Sequence, residues 1–524
     1  GAGAAGGAIH FILSEDGRMA VKIIFVALFF AATLLLGILY QRKVRSMDDF
    51  VLGGRSVGPW LTAFSYGTSY FSAVVFIGYA GQFGWNFGIS AFWVGLANAL
   101  LGSLAAWAVL GRRTRIMTQH LGASTMPEFF SKRYRSRPLK LAAALIIFIF
   151  LVPYSASVYK GLSGIFSMAF GIDFKYCIIG MAVLTGIYVV LGGYMATVAN
   201  NFVQGIVMLA GIVLVVAAVL NGGGGFTEAI KSLSAVEVPQ GSAGEGMHGA
   251  YVSLFGPDPL GLLGVMLLTS LGSWGLPQMV HKFYTIDSEK SIGKGAVIST
   301  VFALVVAGGS YFMGGFGRLY VEAGADGAPS VGYDEIVPQM LANVLPDILM
   351  GLVVVLVLSA SMSTLSSLVI SSASTLTVDF IKGFLKPDLR DKQQMLLTRL
   401  FCVLFMLVSV LLALYPGTLI TNLMAISWGA LAGAFLAPFL YGLYWKKVTN
   451  AAVWISFAAG IGFVLCNMIF QFMSGTGAGA VSMLLTLVLV PLVSLITPRP
   501  DPRHTDECFA CYEGGGKAVD GKEI

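Results

Sequence analysis

Hydroxyl side chains crowd one apolar stretch of the sequence, residues 359–377. Ser363 and Thr364 lie in this stretch, and Ser366 and Ser367 follow within one helical turn. Hydrocarbon does not stabilise a row of hydroxyls, whereas a cation such as sodium needs neutral oxygens to replace the water that it loses. The pattern therefore predicts a helix that contributes to an ion site buried at membrane depth.

Two other apolar stretches carry signals for broken helices. Residues 64–72 are polar and contain a glycine, and residues 270–278 contain Gly272, Gly275 and Pro277. Proline removes a backbone donor and clashes with the preceding turn, and glycine lowers the cost of unwinding. Non-helical backbone at membrane depth is tolerated only where it lines a cavity or is buried in protein. Both breaks are therefore expected beside a buried site.

The elements that must position these residues are membrane-spanning helices. Of the 524 residues, 56% are hydrophobic and 11% are charged, whereas soluble domains carry about 25% charged residues. Apolar runs long enough to cross a bilayer recur along the chain, and we count about thirteen candidate spans. The predicted fold class is an all-α polytopic membrane protein.

The two breaks fall in the second and the seventh predicted spans. An odd separation turns the second unit upside down relative to the first, which predicts a five-plus-five inverted repeat with the site at the two broken helices. The predicted units are an extracellular leader (1–20), an accessory helix with an inner loop (21–57), repeat 1 (58–221), an extracellular loop (222–258), repeat 2 (259–444), two accessory helices (445–497) and a disordered tail (498–524).

Basic residues set the predicted orientation. With the N-terminus outside and the C-terminus in the cytoplasm, 26 of the 32 Lys and Arg residues fall in inner loops, as the positive-inside rule requires. Lys282 is one of the residues assigned to these loops. Cys508 and Cys511 are expected to form a reduced, solvated pair, because one CxxC cannot complete a tetrahedral zinc site.

Several stretches resemble the sodium/solute symporter family, which includes sodium/proline, sodium/galactose and sodium/sialic acid transporters. The resemblance covers most of residues 20–500, and its motifs lie at 50–55, 64–81, 191–194, 202–204, 362–366 and 441–446. It implies a secondary active transporter of the cell membrane that carries a small organic solute, an amino acid or a carboxylate, into the cell by alternating access. Na+ is the implied coupling ion, no organic cofactor is expected, and a monomer is the expected functional unit in the bilayer.

The resemblance also implies a set of sodium ligands between the second and ninth spans. They are the backbone carbonyls of Thr68, Phe71 and Ala360 and the hydroxyls of Ser363 and Thr364. The sequence is consistent with these sodium ligands, because an unwound helix at 67–71 would free carbonyls beside the hydroxyl-rich helix.

Some relatives have a second sodium site, which would use Ser363, Ser366 and Ser367 here together with an aspartate in the sixth span. The aspartate position is Asn201 in this sequence. An amide oxygen coordinates sodium but brings no charge, so one sodium per solute is the expectation.

The solute pocket is expected beside the two breaks. Tyr154 matches a solute-contacting tyrosine in the proline branch of the family. That branch has a tryptophan and a tyrosine where this sequence has Thr269 and Ser273, which argues against proline itself. The other candidates near the breaks are Ser69, Ser72, Ser157, Lys160, Ser273, Trp274 and Gln278.

Lys160 is an ionisable residue inside the fourth predicted span. Such residues are functional by default in a membrane helix. Lys160 would either pair with a solute carboxylate or act as a fixed cation that alters ion coupling. The alternative is that it snorkels to the outer interface.

Other functions are kept as alternatives. Asn201 and Lys160 leave a proton-coupled or sodium-independent transporter of the same fold open. A membrane enzyme or a sensor is disfavoured, because the five histidines are scattered without metal-ligand spacing and the tail is too short for a signalling domain. The net charge of +6 follows the predicted topology and does not indicate nucleic acid.

Overall fold

The computed structural model describes residues 15–41, 46–324, 327–415 and 419–513. Most of the expected leader, part of the first inner loop and the last residues of the tail lie outside these ranges. Within them the chain is helical, and only two isolated β-bridges occur.

The helices of the first half of the chain are α1 (Glu15–Gln41), α2 (Met47–Leu52), α3 (Pro59–Tyr70), α4 (Ala80–Phe87), α5 (Phe92–Ala97), α6 (Arg112–His120), α7 (Met126–Tyr134), α8 (Arg137–Phe170), α9 (Phe174–Gly222) and α10 (Phe226–Ser234). Those of the second half are α11 (Pro259–Leu271), α12 (Pro277–Thr285), α13 (Glu289–Gly314), α14 (Ile336–Val344), α15 (Asp347–Ser374), α16 (Asp391–Ala413), α17 (Ile420–Tyr444), α18 (Asn450–Phe470), α19 (Gly475–Ile496) and α20 (Pro502–Glu513). Stretches of π-helix precede α4 (Val74–Tyr79), join α5 to α6 (Asn98–Ala105, Trp107–Gly111) and extend α15 (Thr375–Leu385).

Ten helical segments in the described ranges are long and apolar enough to cross a membrane, or up to eleven if the bent pair α11–α12 is one span. The expected number was thirteen. Two places account for the difference: Val74–His120 joins two expected spans, and the apolar helix Phe174–Ile187 is shorter than a full span. Gly88 has φ 63° within the segment Val74–His120, and Gly193 has φ 58° within α9. Glycine adopts this backbone conformation without the penalty that a Cβ would impose.

The first helix break is shorter than the sequence suggested. We expected unwinding from residue 67, which is wrong, because α3 stays helical through Tyr70 and the amide of Phe71 still donates to Gly67 O at 3.1 Å. Phe71 then turns to an extended conformation (φ −101°, ψ 99°), and the helix resumes after Ser72.

The second break lies where the sequence placed it. One 3-10 turn, Gly272–Gly275, follows α11, and Leu276 is extended before α12 begins at Pro277. The axes of the two halves differ by 47°. Proline is compatible with the first position of a helix, because its missing N–H would be unpaired there in any case.

The hydroxyl-rich helix α15 lies at the centre of the bundle. Its most apolar stretch is entirely buried inside the protein, whereas only 17% of the corresponding stretch of α1 is buried. It packs against α3, α8, α9 and α1. The hydroxyl row therefore faces other helices rather than lipid.

The described part of the tail is helical where we expected disorder. Residues Pro502–Glu513 form α20, which packs on α6. Tyr512 Oη donates to Arg113 O at 2.9 Å, and the guanidinium of Arg133 lies 5.0 Å from the centre of the Phe509 ring. Cys508 lies in this helix and is buried, so it is not the solvated thiol that we expected.

The loop at 222–258 is also more structured than a flexible connection. It contains α10, and Tyr251 is buried at its end. The guanidinium of Arg318 lies 4.2 Å from the ring centres of both Tyr251 and Trp85. These cation–π contacts fasten the loop to the end of α4.

Backbones approach closely where two glycines face each other. Gly84 of α4 lies directly against Gly314 of α13, so that a Cβ on either residue would overlap backbone atoms of the facing segment. Small residues permit such packing between membrane helices.

We expect Gly84→Ala to destabilise the protein by about 1–3 kcal/mol or more, because the added methyl forces backbone shifts. The measurement is thermal unfolding of the purified protein in detergent. Gly164→Ala is the matched control, since a Cβ added at this helical glycine has no described atom within 4 Å apart from the adjacent backbone of its own helix. Equal melting temperatures for the two variants would contradict the close approach of α4 and α13.

Candidate functional site

Two hydroxyls of α15 converge on one backbone carbonyl of α3. Ser363 Oγ donates to Thr68 O at 3.0 Å, and Thr364 Oγ1 donates to the same oxygen at 3.1 Å. Both hydroxyls also lie 3.1 Å from Ala360 O. The structure therefore brings together four of the five predicted ion-site residues through direct contacts.

The fifth residue, Phe71, lies at the helix break beside this cluster. It lines a small cavity together with Ser72 and Ala360. The remaining walls of the cavity come from neighbouring helices and consist of Val75, Phe76, Met208, Ile212, Val306, Ser310 and Leu356.

The oxygens of this cluster suit a monovalent hard cation. Thr68, Ala360, Ser363 and Thr364 contribute only carbonyl and hydroxyl oxygens, and their side chains are buried. Neutral oxygens replace a hydration shell without adding a charge to the low-dielectric interior. Because each hydroxyl hydrogen can rotate away from the carbonyls, the same oxygens can turn toward an ion.

The residues of the predicted second site occupy two separate places. Ser366 Oγ donates to Ser363 O at 2.9 Å on its own helix, whereas Ser367 Oγ lies 2.7 Å from Ser69 Oγ. Asn201 Nδ2 donates to Ser65 Oγ at 3.0 Å. Ser65 and Ser69 are one turn apart on α3, so this face of α3 links Asn201 to Ser367.

Lys282 is the residue that the sequence analysis misassigned. We counted it in an inner loop, but it is buried on α12, and its Nζ lies 3.2 Å from Ser367 Oγ. The available signal was its position five residues after Pro277, between the apolar pairs Met279–Val280 and Phe283–Tyr284.

The expected solute residues do not form a single group. Ser69 contacts Ser367 on the ion side, and Ser72 Oγ accepts from the amide of Val74 at 3.1 Å within the break. Ser157 Oγ donates to Tyr154 O at 2.6 Å on its own helix. Tyr154 is buried, and its ring centre lies 5.9 Å from that of Trp428.

The α11–α12 break contributes side chains that contact neighbouring backbone. Ser273 Oγ lies 3.2 Å from Gly102 O, and Trp274 Nε1 donates to Leu101 O at 2.9 Å. Both residues hold the break against the π-helical segment 98–105. Gln278 is buried one residue after Pro277.

Lys160 lies toward the end of α8 that meets the loops. Its Nζ donates to Tyr415 O at 2.9 Å. The carboxyl group of Asp334 is close enough to interact with it electrostatically. The lysine therefore belongs to contacts among the connecting segments at this end of the bundle.

A larger cavity opens at the same end of the protein. Its volume is ≈ 460 Å³, and its walls combine the end of α4, the loops around Tyr251 and Arg318, and the starts of α17 and α19. Gln82 and Phe83 line it from α4, in the helical segment that resumes after the Phe71 break.

Two transporters are similar to this chain over almost its whole length. The chain is 28% identical to the osmoregulated proline transporter OpuE of Bacillus subtilis over 92% of its own length and 96% of the relative's. It is 29% identical to the sodium/proline symporter of Staphylococcus aureus, covering 94% of this chain and 88% of that protein.

The fold is that of solved membrane transporters. A substrate-bound, outward-open sodium-coupled sialic acid symporter superposes with a TM-score of 0.74 at 16% identity, over 92% of this chain and 98% of the other. A nucleobase-cation-symport-1 family transporter in a closed conformation gives a TM-score of 0.50 at 15% identity, over 87% and 97% of the two chains.

The family model described as the sodium:solute symporter family matches residues 50–460, which include both helix breaks and the hydroxyl-rich helix. The chain belongs to the sodium:solute symporter family.

Proposed function

We propose that this protein carries a small amino acid or carboxylate across the cell membrane together with one sodium ion. The convergence of Ser363 and Thr364 on the carbonyl of Thr68 is the observation that carries the proposal. It supplies a neutral oxygen cluster next to a helix break, at the contact between α3 and α15. Membership in a symporter family supports sodium as the coupling ion.

The proposed solute class follows from the relatives taken together. Two of them are transporters of proline, and the structural neighbour is a sialic acid symporter. Both solutes carry a carboxylate. A broken helix presents unpaired backbone donors at the start of its second half, and these favour an anionic group. We favour a solute other than proline, because the residues at 269 and 273 are small and Ser273 is held by backbone contacts.

The complete topology is part of the proposal. If the chain reverses direction at Gly88 and at Gly193, and if α11–α12 forms one span, thirteen spans result. The breaks at Phe71 and Gly272–Leu276 then occupy equivalent positions in two inverted five-span units. The excess of basic residues on one side supports a cytoplasmic C-terminus, and the oligomeric state proposed is a monomer.

Alternating access gives the ion cluster its role in this mechanism. Sodium binds from the outside and holds the α3 break against α15, the solute binds beside it, and the outer entrance closes before the inner side opens. One positive charge that crosses 100 mV contributes about 2.3 kcal/mol, which corresponds to roughly fiftyfold accumulation. The sodium gradient adds to this.

Backbone contacts hold the proposed cytoplasmic side together in this structure. Arg55 Nη1 donates to Tyr284 O at 3.0 Å, and Nη2 donates to Ala123 O at 2.7 Å. Arg115 Nε donates to Ile286 O at 3.0 Å. These arginines join the end of α12 to the segments before α3 and after α6. Their hydrogen bonds must therefore break when the inner side opens.

We expect Thr364→Ala to raise the half-saturating sodium concentration of solute uptake by about ten- to a hundredfold. A polar contact to a charged partner contributes about 1.5–3 kcal/mol, and about 1.4 kcal/mol corresponds to a factor of ten. The measurement is uptake into proteoliposomes from a panel of labelled amino acids and carboxylates, at constant pH and with sodium replaced by potassium.

Thr375→Ala is the matched control for this change. Thr375 is equally buried, but its Oγ1 donates to Ser371 O of its own helix at 2.6 Å. It should leave the sodium dependence unchanged. Uptake that is independent of sodium at fixed pH, with a response to a proton gradient, would support the proton-coupled alternative instead.

A carboxyl group joins a connecting segment to the start of α17 at the end of the protein that we propose to be extracellular. Asp334 lies in the connection between α13 and α14, and its Oδ2 accepts from the amide of Ile420 at the start of α17 at 3.0 Å. Burial raises the pKa of Asp334 to about 6, although the Ile420 amide and Lys160 oppose this shift. The folded protein therefore binds a proton at this carboxyl more tightly than the unfolded chain does.

We expect thermal stability to depend on pH through this group. The stabilisation is complete below the ordinary pKa of 3.8 and is lost as the pH rises to about 6, with a total of about 3 kcal/mol. Asp334→Asn should remove this part of the pH dependence in melting curves recorded between pH 4 and pH 8. Glu335→Gln is the neighbouring control and should retain it. A wild-type profile that coincides with that of Asp334→Asn would contradict this role of Asp334.

A further inference from the structure

Lys282 is a buried lysine that the proposed transport mechanism does not use. It is 1% exposed, and its ammonium lies 3.2 Å from Ser367 Oγ and 5.1 Å from the centre of the Tyr194 ring. Among the described residues, the ion pairs with side-chain carboxylates do not include Lys282. A buried ammonium without a carboxylate is costly, so its polar neighbours must offset part of its desolvation.

Those neighbours form a chain of polar groups between four helices. Ser367 Oγ on α15 lies 2.7 Å from Ser69 Oγ on α3, and Ser69 Oγ donates to Ser65 O at 2.6 Å. Asn201 on α9 reaches the hydroxyl of Ser65 at 3.0 Å. Asn201 is fully buried, and its Oδ1 has no hydrogen-bond partner among the described residues. The chain offers hydroxyl and amide oxygens next to the sodium cluster, and Lys282 lies at its end.

Tyr194 completes the surroundings of the lysine. The ring faces the ammonium, and Tyr194 Oη lies 2.9 Å from Thr285 Oγ1, one turn after Lys282 on α12. The ring face is electron-rich and attracts a cation. The ammonium is therefore held from two sides, by a hydroxyl of α15 and by an aromatic ring of α9.

We propose that the Lys282 ammonium acts as a tethered cation that takes the place of a second sodium ion at the hydroxyls of Ser69 and Ser367. A mobile cation at these oxygens would lie beside a fixed positive charge, and the ion pairs of the described residues provide no carboxylate partner for Lys282. Like charges in a poorly solvated interior repel strongly. Lys282 thereby limits the protein to one sodium ion per transport cycle. This inference rests on the proposed sodium-coupled function and deepens it by assigning the ion stoichiometry.

The test is equilibrium binding of radioactive sodium to the purified protein in detergent, which needs no knowledge of the solute. Wild type should bind one sodium ion per chain. The double variant Lys282→Met/Asn201→Asp removes the tethered charge and adds a carboxylate at the other end of the polar chain, so it should bind two. Lys282→Arg/Asn201→Asp retains a fixed cation and is the matched control, which should bind one.

The number of bound sodium ions separates the role of Lys282 from the proposed sodium-coupled function. Two bound ions in wild type or in the arginine control, or one bound ion in a folded methionine variant, would overturn the role of Lys282. Absence of saturable sodium binding in wild type would instead contradict the proposed function itself. If the methionine variant does not fold, Asn201→Asp alone provides the test, because it should still bind one ion while Lys282 is present and two if Lys282 excludes nothing.

Discussion

The carbonyl of Thr68 is the point on which the structure of the site depends. It accepts from two hydroxyls of α15 at 3.0 and 3.1 Å, and it lies three residues before the backbone leaves the helical path at Phe71. In hydrocarbon, a carbonyl released from a helix must find another partner. Here the partners are side chains of a neighbouring helix, so the position of α3 relative to α15 is set by polar contacts that a cation can enter or leave.

The surrounding helices provide the environment in which this polar contact is stable. α15 is surrounded by α1, α3, α8 and α9, which exclude both lipid and water from its hydroxyls. Glycine pairs such as Gly84 and Gly314 let the helical segment after the break approach α13 at backbone contact distance. A rigid, closely packed frame with two interrupted helices is suited to two discrete arrangements rather than to continuous deformation.

At each end of the protein, charged side chains form hydrogen bonds with the backbone of a neighbouring segment. Arginines 55 and 115 bind backbone carbonyls at the proposed inner side, whereas Asp334 binds the start of α17 at the proposed outer side. Lys282 is buried two residues before Tyr284 on α12 and contacts Ser367 of α15. The two ends can therefore be released by different events, as alternating access requires.

The sequence predicted the helical class and the two breaks, because hydropathy, proline and glycine act locally and periodically. The ion-site role of Ser363 and Thr364 came from the family resemblance and stays a prediction, although the structure brings both hydroxyls to Thr68 O. It predicted the wrong extent for the first break, since only tertiary contacts decide that Tyr70 remains helical. It misplaced Lys282 because a charge near a span end resembles a loop residue until the packing of α12 is known. It also missed the helix in the described part of the tail. Phe509 and Tyr512 hold this helix through contacts with Arg133 and Arg113, which composition alone does not reveal.

Hydrogen–deuterium exchange of the peptide that covers residues 68–76 tests the central claim most directly, because this peptide contains the break beside the ion cluster. With sodium replacing potassium at equal ionic strength, the amides of this peptide should exchange more slowly, while a peptide from α18 at residues 450–470 should not change. Identical exchange of residues 68–76 in the two salts would contradict a sodium ion held between α3 and α15.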